Sequence, residues 1–413
     1  VERYAENGAD GYVEEIPYTY GYHPDLDPAR MQAALRRVGI EPPAVATACE
    51  LGYGQGISLA IHAVAGRAAW WGTDLLPAHA ANLRELVAGT GARIETAAEP
   101  FATFCAREDL PPFDFIGLYG VWSWVSAANR AVIVRFAARA LRPGGVLYLS
   151  YNALPGWAPM RPLREALVAH AAAQPAGRSL AARIEAAMAH VGTRVLRDVA
   201  WVEAHPGIES EWRAIRHKGI AYLAHEFFNR DWAPMAPHDV AAALAAADLR
   251  FAACASGEPP TAAARFRREY FLKDAAPGSD ETVTVGAGAT QDAAPDAVTD
   301  DEARRRGCRL LNRRLLADAP LHPGLGWLAD PTQGCGVEVG YTTLLLLEAW
   351  WRGVREPAAM AREVAATLER HGQRLVEGGE VVLDASRAVS LLEAEARALP
   401  DGALPRFAPL WAP

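Results

Sequence analysis

Across the first 150 residues, short apolar runs alternate with longer stretches whose apolar positions recur every three or four residues. Runs at 45–51, 68–74, 92–97, 113–119 and 146–151 predict strands, and the stretches at 57–64, 77–87, 100–107 and 127–141 predict helices. Strands that are apolar on both faces and separated by helices imply a parallel sheet covered on both sides, a doubly wound α/β core. Ahead of this core Met31, Ala34, Leu35 and Val38 share one helical face, and Asp27 with Pro28 make an N-cap and first turn.

The pattern changes after residue 160. Ala- and Arg-rich text to about 231 has helical periodicity, broken at His205-Pro206-Gly207, and predicts a helical insertion. A helix at 240–247 and strands at 250–255 and 269–273 read as the end of the same sheet. Residues 275–300, rich in Ala, Gly, Pro, Thr and Asp without an apolar period, predict a linker. Helices at 303–317, 341–352, 358–371 and 385–398 follow, with a hairpin wing expected at 376–383 around Gly378-Gly379. The expected division is an N-terminal lid segment and first helix (1–45), a core (46–159), the insertion (160–235), the sheet end (236–274), the linker (275–300) and a C-terminal domain (301–413).

Composition narrows the function. The chain has 413 residues, 51% of them hydrophobic, which suits two or three domains with ample core. A net charge of −8 argues against a protein that holds nucleic acid by neutralising phosphates. Cys49, Cys105, Cys254, Cys308 and Cys335 are odd in number and never form a C-x-x-C pair, so free thiols are expected rather than disulfides or a zinc site. The apolar run at 342–351 is too short for a membrane span and contains Glu348. The polar start at Val1 predicts no signal peptide, and a cytoplasmic location is expected. Five tyrosines in the first 22 residues, Tyr4, Tyr12, Tyr18, Tyr20 and Tyr22, predict a segment that packs on the fold rather than a solvated tail.

Candidate chemistry begins where the first strand turns into a helix, at Cys49-Glu50-Leu51-Gly52-Tyr53-Gly54-Gln55-Gly56. Three glycines allow a tight turn and close approach to a ligand, and the helix N-terminus presents free N–H groups, so a nucleotide-like ligand is expected there. A dinucleotide fingerprint needs a third small residue where Ile57 stands, which disfavours NAD. An acid two positions before the first glycine, Glu50, matches an S-adenosylmethionine (SAM) loop. Asp74, ending the second strand, has two oxygens spaced for the ribose diol and fits either adenosine ligand. Phe101, after Ala98-Glu99-Pro100, is a candidate wall for adenine or a core residue. At the ends of the fourth and fifth strands Tyr119, Trp122, Trp124, Tyr151 and Trp157 offer either an aromatic acceptor wall or packing for the insertion. His62 and His79 read as structural, and His225 and Glu226, adjacent on a helix, diverge by about 100° and need not serve one site.

These strings resemble bacterial SAM-dependent methyltransferases that carry a methyltransferase regulatory domain, similar to the rickettsial protein-lysine methyltransferases. The matching residues are Tyr12 through Pro17-Tyr18, His23-Pro24, Glu50 to Gly56, Gly120-Val121-Trp122-Ser123-Trp124-Val125, Ser150-Tyr151-Asn152, Leu154-Pro155-Gly156-Trp157 and Tyr222-Leu223-Ala224-His225-Glu226. Tyr53 stands where the family has Cys or a small residue, and Trp122 where it has Tyr. The resemblance implies a Rossmann-like seven-stranded methyltransferase sheet with a helical insertion, and a mainly helical, winged-helix-like C-terminal domain. SAM is then the expected methyl donor, with no metal, and a protein lysine or another amine the acceptor. The alternatives are a small-molecule methyltransferase and a SAM-binding regulatory protein without turnover. Expected donor contacts are Tyr18, Glu50, Leu51, Gly52, Tyr53, Gly54, Gly56, Asp74, Leu75, Ala98, Glu99, Tyr119 and Gly120. Trp122, Trp124, Tyr151, Asn152 and Trp157 are the expected acceptor wall, with Asn152 orienting the nucleophile.

Overall fold

In the computed structural model, a helix with Met31, Ala34 and Leu35 buried, α1 (Pro28–Arg37), precedes the sheet; the Asp27 side chain accepts the Ala29 N–H as its N-cap. The structure describes residues 12–175, 177–258, 260–274, 297–322, 325–377, 380–382 and 384–410. Tyr4 and residues 275–296 of the expected linker lie outside them.

The core alternates as its apolar pattern requires: β1 (Thr47–Leu51), α2 (Ile57–Ala65), β2 (Ala69–Asp74), α3 (Pro77–Val87), β3 (Ile94–Ala98), α4 (Phe101–Phe104), β4 (Phe113–Leu118), α5 (Ala127–Ala140) and β5 (Leu141–Asn152). All six residues of β4 are buried, as befits a strand covered on both faces. The insertion carries α6 (Arg161–Ala172), α7 (Leu180–Thr193), α8 (Val199–Ala204), α9 (Ile208–Ile215) and α10 (Ile220–Phe227), and its apolar faces close on a cluster of their own. Then α11 (Pro237–Ala245), β6 (Leu249–Cys254) and β7 (Phe266–Lys273) complete the sheet. Its order is β3-β2-β1-β4-β5-β7-β6, with β7 antiparallel to both neighbours: a seven-stranded Rossmann-like sheet with helices on both faces. Order reverses between β1 and β4, where such sheets open a crevice at their carboxyl ends.

Two boundaries differ from the periodicity. The helix expected at 100–107 is a single turn, α4, after which the Ala106 and Arg107 N–H groups bond the Thr103 and Phe104 carbonyls in a tighter turn that leads to β4. The fifth strand begins at Leu141, with a shift in register before Val146 that accommodates Pro143-Gly144-Gly145.

The C-terminal part holds α12 (Ala297–Asp318), β8 (Trp327–Asp330), β9 (Cys335–Glu338), α13 (Tyr341–Trp351), α14 (Pro357–Arg370), β10 (Val376–Glu377), β11 (Glu380–Val381), α15 (Ala385–Ala398) and α16 (Ala403–Phe407). A two-stranded hairpin stands between α14 and α15, and the β8–β9 hairpin is an addition that its short strands hid from the periodicity. Leu311 and Leu315 of α12 share one apolar cluster with Ala60 and Leu83 of the core. Gly307 makes that approach possible, since a Cβ there would lie 2.3 Å from the Thr90 carbonyl oxygen. All five cysteines are free thiols; Cys49, Cys105 and Cys308 are buried, Cys254 and Cys335 half-buried.

Candidate functional site

A cavity with about 980 Å³ of empty space, mouth included, opens at the carboxyl ends of β1, β2 and β4. Its floor is the turn after β1. Gly52 and Gly54 have φ of +76° and +57°, a region open to glycine, and a Cβ on Gly52 would meet Val121 at 2.6 Å. Asp74 organises the turn: Oδ2 accepts the Gly54 N–H at 2.8 Å, while Oδ1 accepts the Leu76 N–H at 3.0 Å and meets His79 Nδ1 at 2.9 Å. Glu50 lines the same floor, 2% exposed, and its Oε2 has no hydrogen-bond partner among the described residues. Burial, then the Asp74 charge, push the Glu50 carboxyl up to about 8. A buried acceptor without a donor is costly and marks a place for a ligand's N–H. The Tyr53 ring also faces the cavity, with its hydroxyl donating to the Ala97 carbonyl at 3.0 Å. Glu99, Pro100, Phe101 and Leu75 form the wall on the β2 and β3 side.

The N-terminal segment roofs the cavity with Tyr12, Tyr18, Thr19, Gly21 and His23. It is tied down along its length. The Val13 N–H donates to Asn229 Oδ1 at 2.9 Å, the Ile16 carbonyl meets His225 Nε2 at 2.7 Å, Gln55 donates to the Tyr18 carbonyl at 2.9 Å, and the His23 N–H donates to Ser58 Oγ at 2.7 Å. The His23 ring stacks on Tyr119 at 3.6 Å, and burial lowers its pKa to about 4, so it is neutral near pH 7. Tyr20 stacks on His322, and the Tyr22 hydroxyl reaches His62 and Gly336, so the strap ends on the C-terminal part.

Of the expected donor contacts, Tyr18, Glu50, Gly52, Tyr53, Gly54, Asp74, Leu75, Glu99, Tyr119 and Gly120 line the cavity. Leu51, Gly56 and Ala98 do not. Leu51 points into the apolar layer under α5, Gly56 packs its left-handed N-cap against Leu83, and Ala98 pairs with Asp74 at the sheet edge.

Of the expected acceptor wall, Trp124 alone lines the cavity, beside Val125 and Asn129. The other four do not line it. The Trp122 indole is fully buried and donates to Met235 Sδ at 3.3 Å. Tyr151 is buried with its hydroxyl 2.9 Å from Glu269 Oε2 on β7, a strand 118 residues away that sequence spacing cannot bring beside it. Asn152 is buried; its backbone N–H donates to Ser123 Oγ and its backbone carbonyl accepts the Met235 N–H, while its side-chain Nδ2 has no partner among the described residues. Trp157 meets Trp232 edge-on at 6.0 Å and Phe227 at 6.4 Å, joining the insertion to the sheet. The aromatic face at the cavity comes instead from the strap, through Tyr12 and Tyr18, with Tyr119, His23 and Trp124. His225 lies between Tyr12 and Tyr18, at 5.3 and 5.1 Å between ring centres. Burial lifts Glu226 to about 7, and its charge reaches Tyr12, Tyr18, Tyr119 and Tyr222. The tyrosine density and the Pro17-Tyr18 restriction predict a lid over the donor pocket at Tyr12 to His23; the bonds that hold it come from residues distant in the sequence.

Residues 220–273, from α10 through β7, match the family model described as "Predicted methyltransferase regulatory domain". An uncharacterized protein of Synechocystis sp. is 31% identical over 247 residues, 59% of this chain and 48% of that protein. An uncharacterized protein of Rickettsia prowazekii is 27% identical over 161 residues, 38% of this chain and 64% of that protein. The chain thus spans less than two thirds of the length of these curated relatives. Among solved structures, PKMT2 of Rickettsia typhi in complex with AdoHcy superposes with a TM-score of 0.58 at 13% identity, over 96% of this chain and 99% of that one. A second PKMT2 structure gives 0.51 at 15% identity, over 93% of this chain and 76% of the other. The fold of this chain is therefore that of a methyltransferase, and it is similar to these rickettsial proteins across nearly its whole length.

Proposed function

We propose that the protein is a SAM-dependent methyltransferase that acts on an amine, with a lysine side chain of a protein as the preferred acceptor. The unpartnered, buried Oε2 of Glu50 at the glycine turn carries the donor assignment. It fits the α-ammonium of SAM. Asp74, already accepting backbone N–H groups, has lone pairs left for a ribose diol, and Leu75, Pro100 and Phe101 give adenine an apolar slot. SAM supplies an electrophilic methyl group on a sulfonium. This chain's residues orient and desolvate: Tyr12, Tyr18, Tyr119 and Trp124 offer π faces to a cationic or polarised amine, and the strap excludes water. The Rickettsia typhi relative was solved with AdoHcy, the demethylated form of that donor, which supports the reading.

The test is transfer of labelled methyl from SAM in a lysate. Label in protein, recovered as methyl-lysine after hydrolysis, is the expected result. Label confined to small molecules would move the acceptor to that class, and binding without transfer would make the protein a SAM sensor.

Two smaller predictions arise here. Because an ammonium needs an ionised partner, SAM affinity should climb with pH up to about 8, the Glu50 pKa, and stop rising as the ligand's own amine deprotonates near ~8. At pH 6 calorimetry in buffers of different ionisation enthalpy should show about one proton released per SAM bound; Glu50→Gln should abolish the release. The sign for folding is opposite. A carboxyl whose native pKa is raised from 4.5 to about 8 costs the ligand-free protein stability as pH rises through that window. Second, Gln55→Ala unties the Tyr18 carbonyl, a loss of about 1 kcal/mol, and should speed AdoHcy dissociation roughly fivefold with little change in melting temperature. An unchanged rate would make the strap packing only.

A further inference from the structure

We propose that His79 is a positioning residue for the methyl transfer: one imidazole holds both Asp74 on the cavity floor and Tyr18 in its roof, so that the carboxylate assigned to the ribose and the aromatic lid take their places together. The inference rests on the donor reading above. His79 stands in the first turn of α3, and Asn82 follows three residues later on the same face. His79 is 1% exposed and bonds in two directions: Nδ1 lies 2.9 Å from Asp74 Oδ1, and the Tyr18 N–H reaches Nε2 at 3.4 Å. Asn82 donates to the Gln55 carbonyl at 2.8 Å and accepts the Tyr20 hydroxyl at 3.2 Å. One helix face thus holds the glycine turn and the strap.

The hydrogen positions on the ring follow from its partners. Nε2 faces a backbone N–H, which can only donate, so Nε2 presents its lone pair. A neutral imidazole that accepts at Nε2 carries its hydrogen on Nδ1, where Asp74 Oδ1 takes it. Asp74 therefore fixes the tautomer, and the tautomer is what lets His79 hold the strap. Without that carboxylate the hydrogen is free to move to Nε2, where it opposes the Tyr18 N–H.

Tyr18 is the residue on which these bonds converge. Gln55 Nε2 donates to its carbonyl at 2.9 Å, so both backbone polar groups of Tyr18 are answered by side chains, although it belongs to no helix or strand. Its ring lines the cavity, and a shift of this backbone carries the ring with it. Packing alone asks for no such nitrogens: Leu83 and Leu86, buried on the same helix, already close α3 against the core. The two nitrogens of His79 serve the link between floor and roof.

The experiment separates the two bonds in the full chain. In His79→Asn an amide nitrogen stands in the place of Nδ1 and donates to Asp74, but nothing reaches Tyr18; in His79→Gln an amide oxygen extends to the place of Nε2 and accepts the Tyr18 N–H. Hydrogen exchange of the Tyr18 amide is read by NMR on 15N-tyrosine-labelled protein, beside AdoHcy dissociation rates and melting temperatures. His79→Asn should speed exchange in the ligand-free protein about tenfold and AdoHcy dissociation about fivefold, while His79→Gln keeps exchange within about threefold of the unsubstituted chain. A histidine needed only for packing would move both variants together, in step with melting temperature. Unchanged exchange in His79→Asn, equal acceleration in both variants, or faster exchange without faster AdoHcy dissociation overturns the proposal. The imidazole 15N signals of the unsubstituted chain decide it even where a variant does not fold: hydrogen on Nδ1 alone is expected, and hydrogen on Nε2 overturns it. A chain that binds no AdoHcy removes the donor reading instead, and the ligand-free exchange and the imidazole signals then still decide whether His79 ties Tyr18 to Asp74.

Discussion

Replacing Asp74 by alanine should weaken SAM and AdoHcy binding by at least a hundredfold. Its carboxylate accepts from the Gly54 and Leu76 N–H groups and holds His79 Nδ1, so truncation leaves three buried or half-buried groups unanswered on the cavity floor. Loss of the charged acceptor for the ribose diol costs about 1.5–3 kcal/mol of binding, and a glycine turn no longer held in its binding geometry adds to it. A total of about 3 kcal/mol is already more than a hundredfold in affinity. Asp74→Asn keeps one oxygen and the shape, and should recover part of the binding. Calorimetry with AdoHcy, alongside melting temperatures, decides the matter. Equal loss of stability and binding would make Asp74 a structural cap, and comparable affinity for NAD would remove the SAM assignment.

Two aromatic residues that look equivalent in the sequence should respond in opposite ways. Trp124→Leu should cut methyl transfer about tenfold or more while SAM affinity stays within about threefold, because the indole faces the cavity and a cation–π contact is worth about 1–2 kcal/mol. Tyr151→Phe should do the reverse. Its hydroxyl bonds the buried Glu269 Oε2 away from the cavity, so the loss appears as about 1–3 kcal/mol of unfolding free energy with turnover per folded molecule unchanged. Steady-state rates with saturating SAM and denaturant melts on the same preparations separate the two effects. A Trp124→Leu protein with full activity would place the acceptor elsewhere.

The alternation of apolar runs was enough to predict the sheet because buried parallel strands must be apolar on both faces, whatever their neighbours. The glycine turn and its acids were equally readable. A tight turn needs glycine at positive φ, and Glu50 and Asp74 each sit at a strand end, so their chemistry is a property of a few consecutive residues. What the sequence could not decide was anything that depends on partners distant along the chain. Trp122, Tyr151 and Trp157 share a region and an aromatic character with Trp124, and Met235, Glu269 and Trp232 determine that they turn inward. Likewise the crowding of tyrosines near the N-terminus announced a lid, yet what holds it in place depends on Gln55, Ser58, His225 and Asn229, contributed by the glycine turn, α2 and the helical insertion. The sharing of one core by α12 and α2 is of the same kind, since it depends on Gly307 meeting the Thr90 carbonyl across the fold. Local pattern determined which elements form and where the acids of the glycine turn stand; which side chains face the cavity was decided by long-range packing, because burial is a property of the assembled surface and not of the residue.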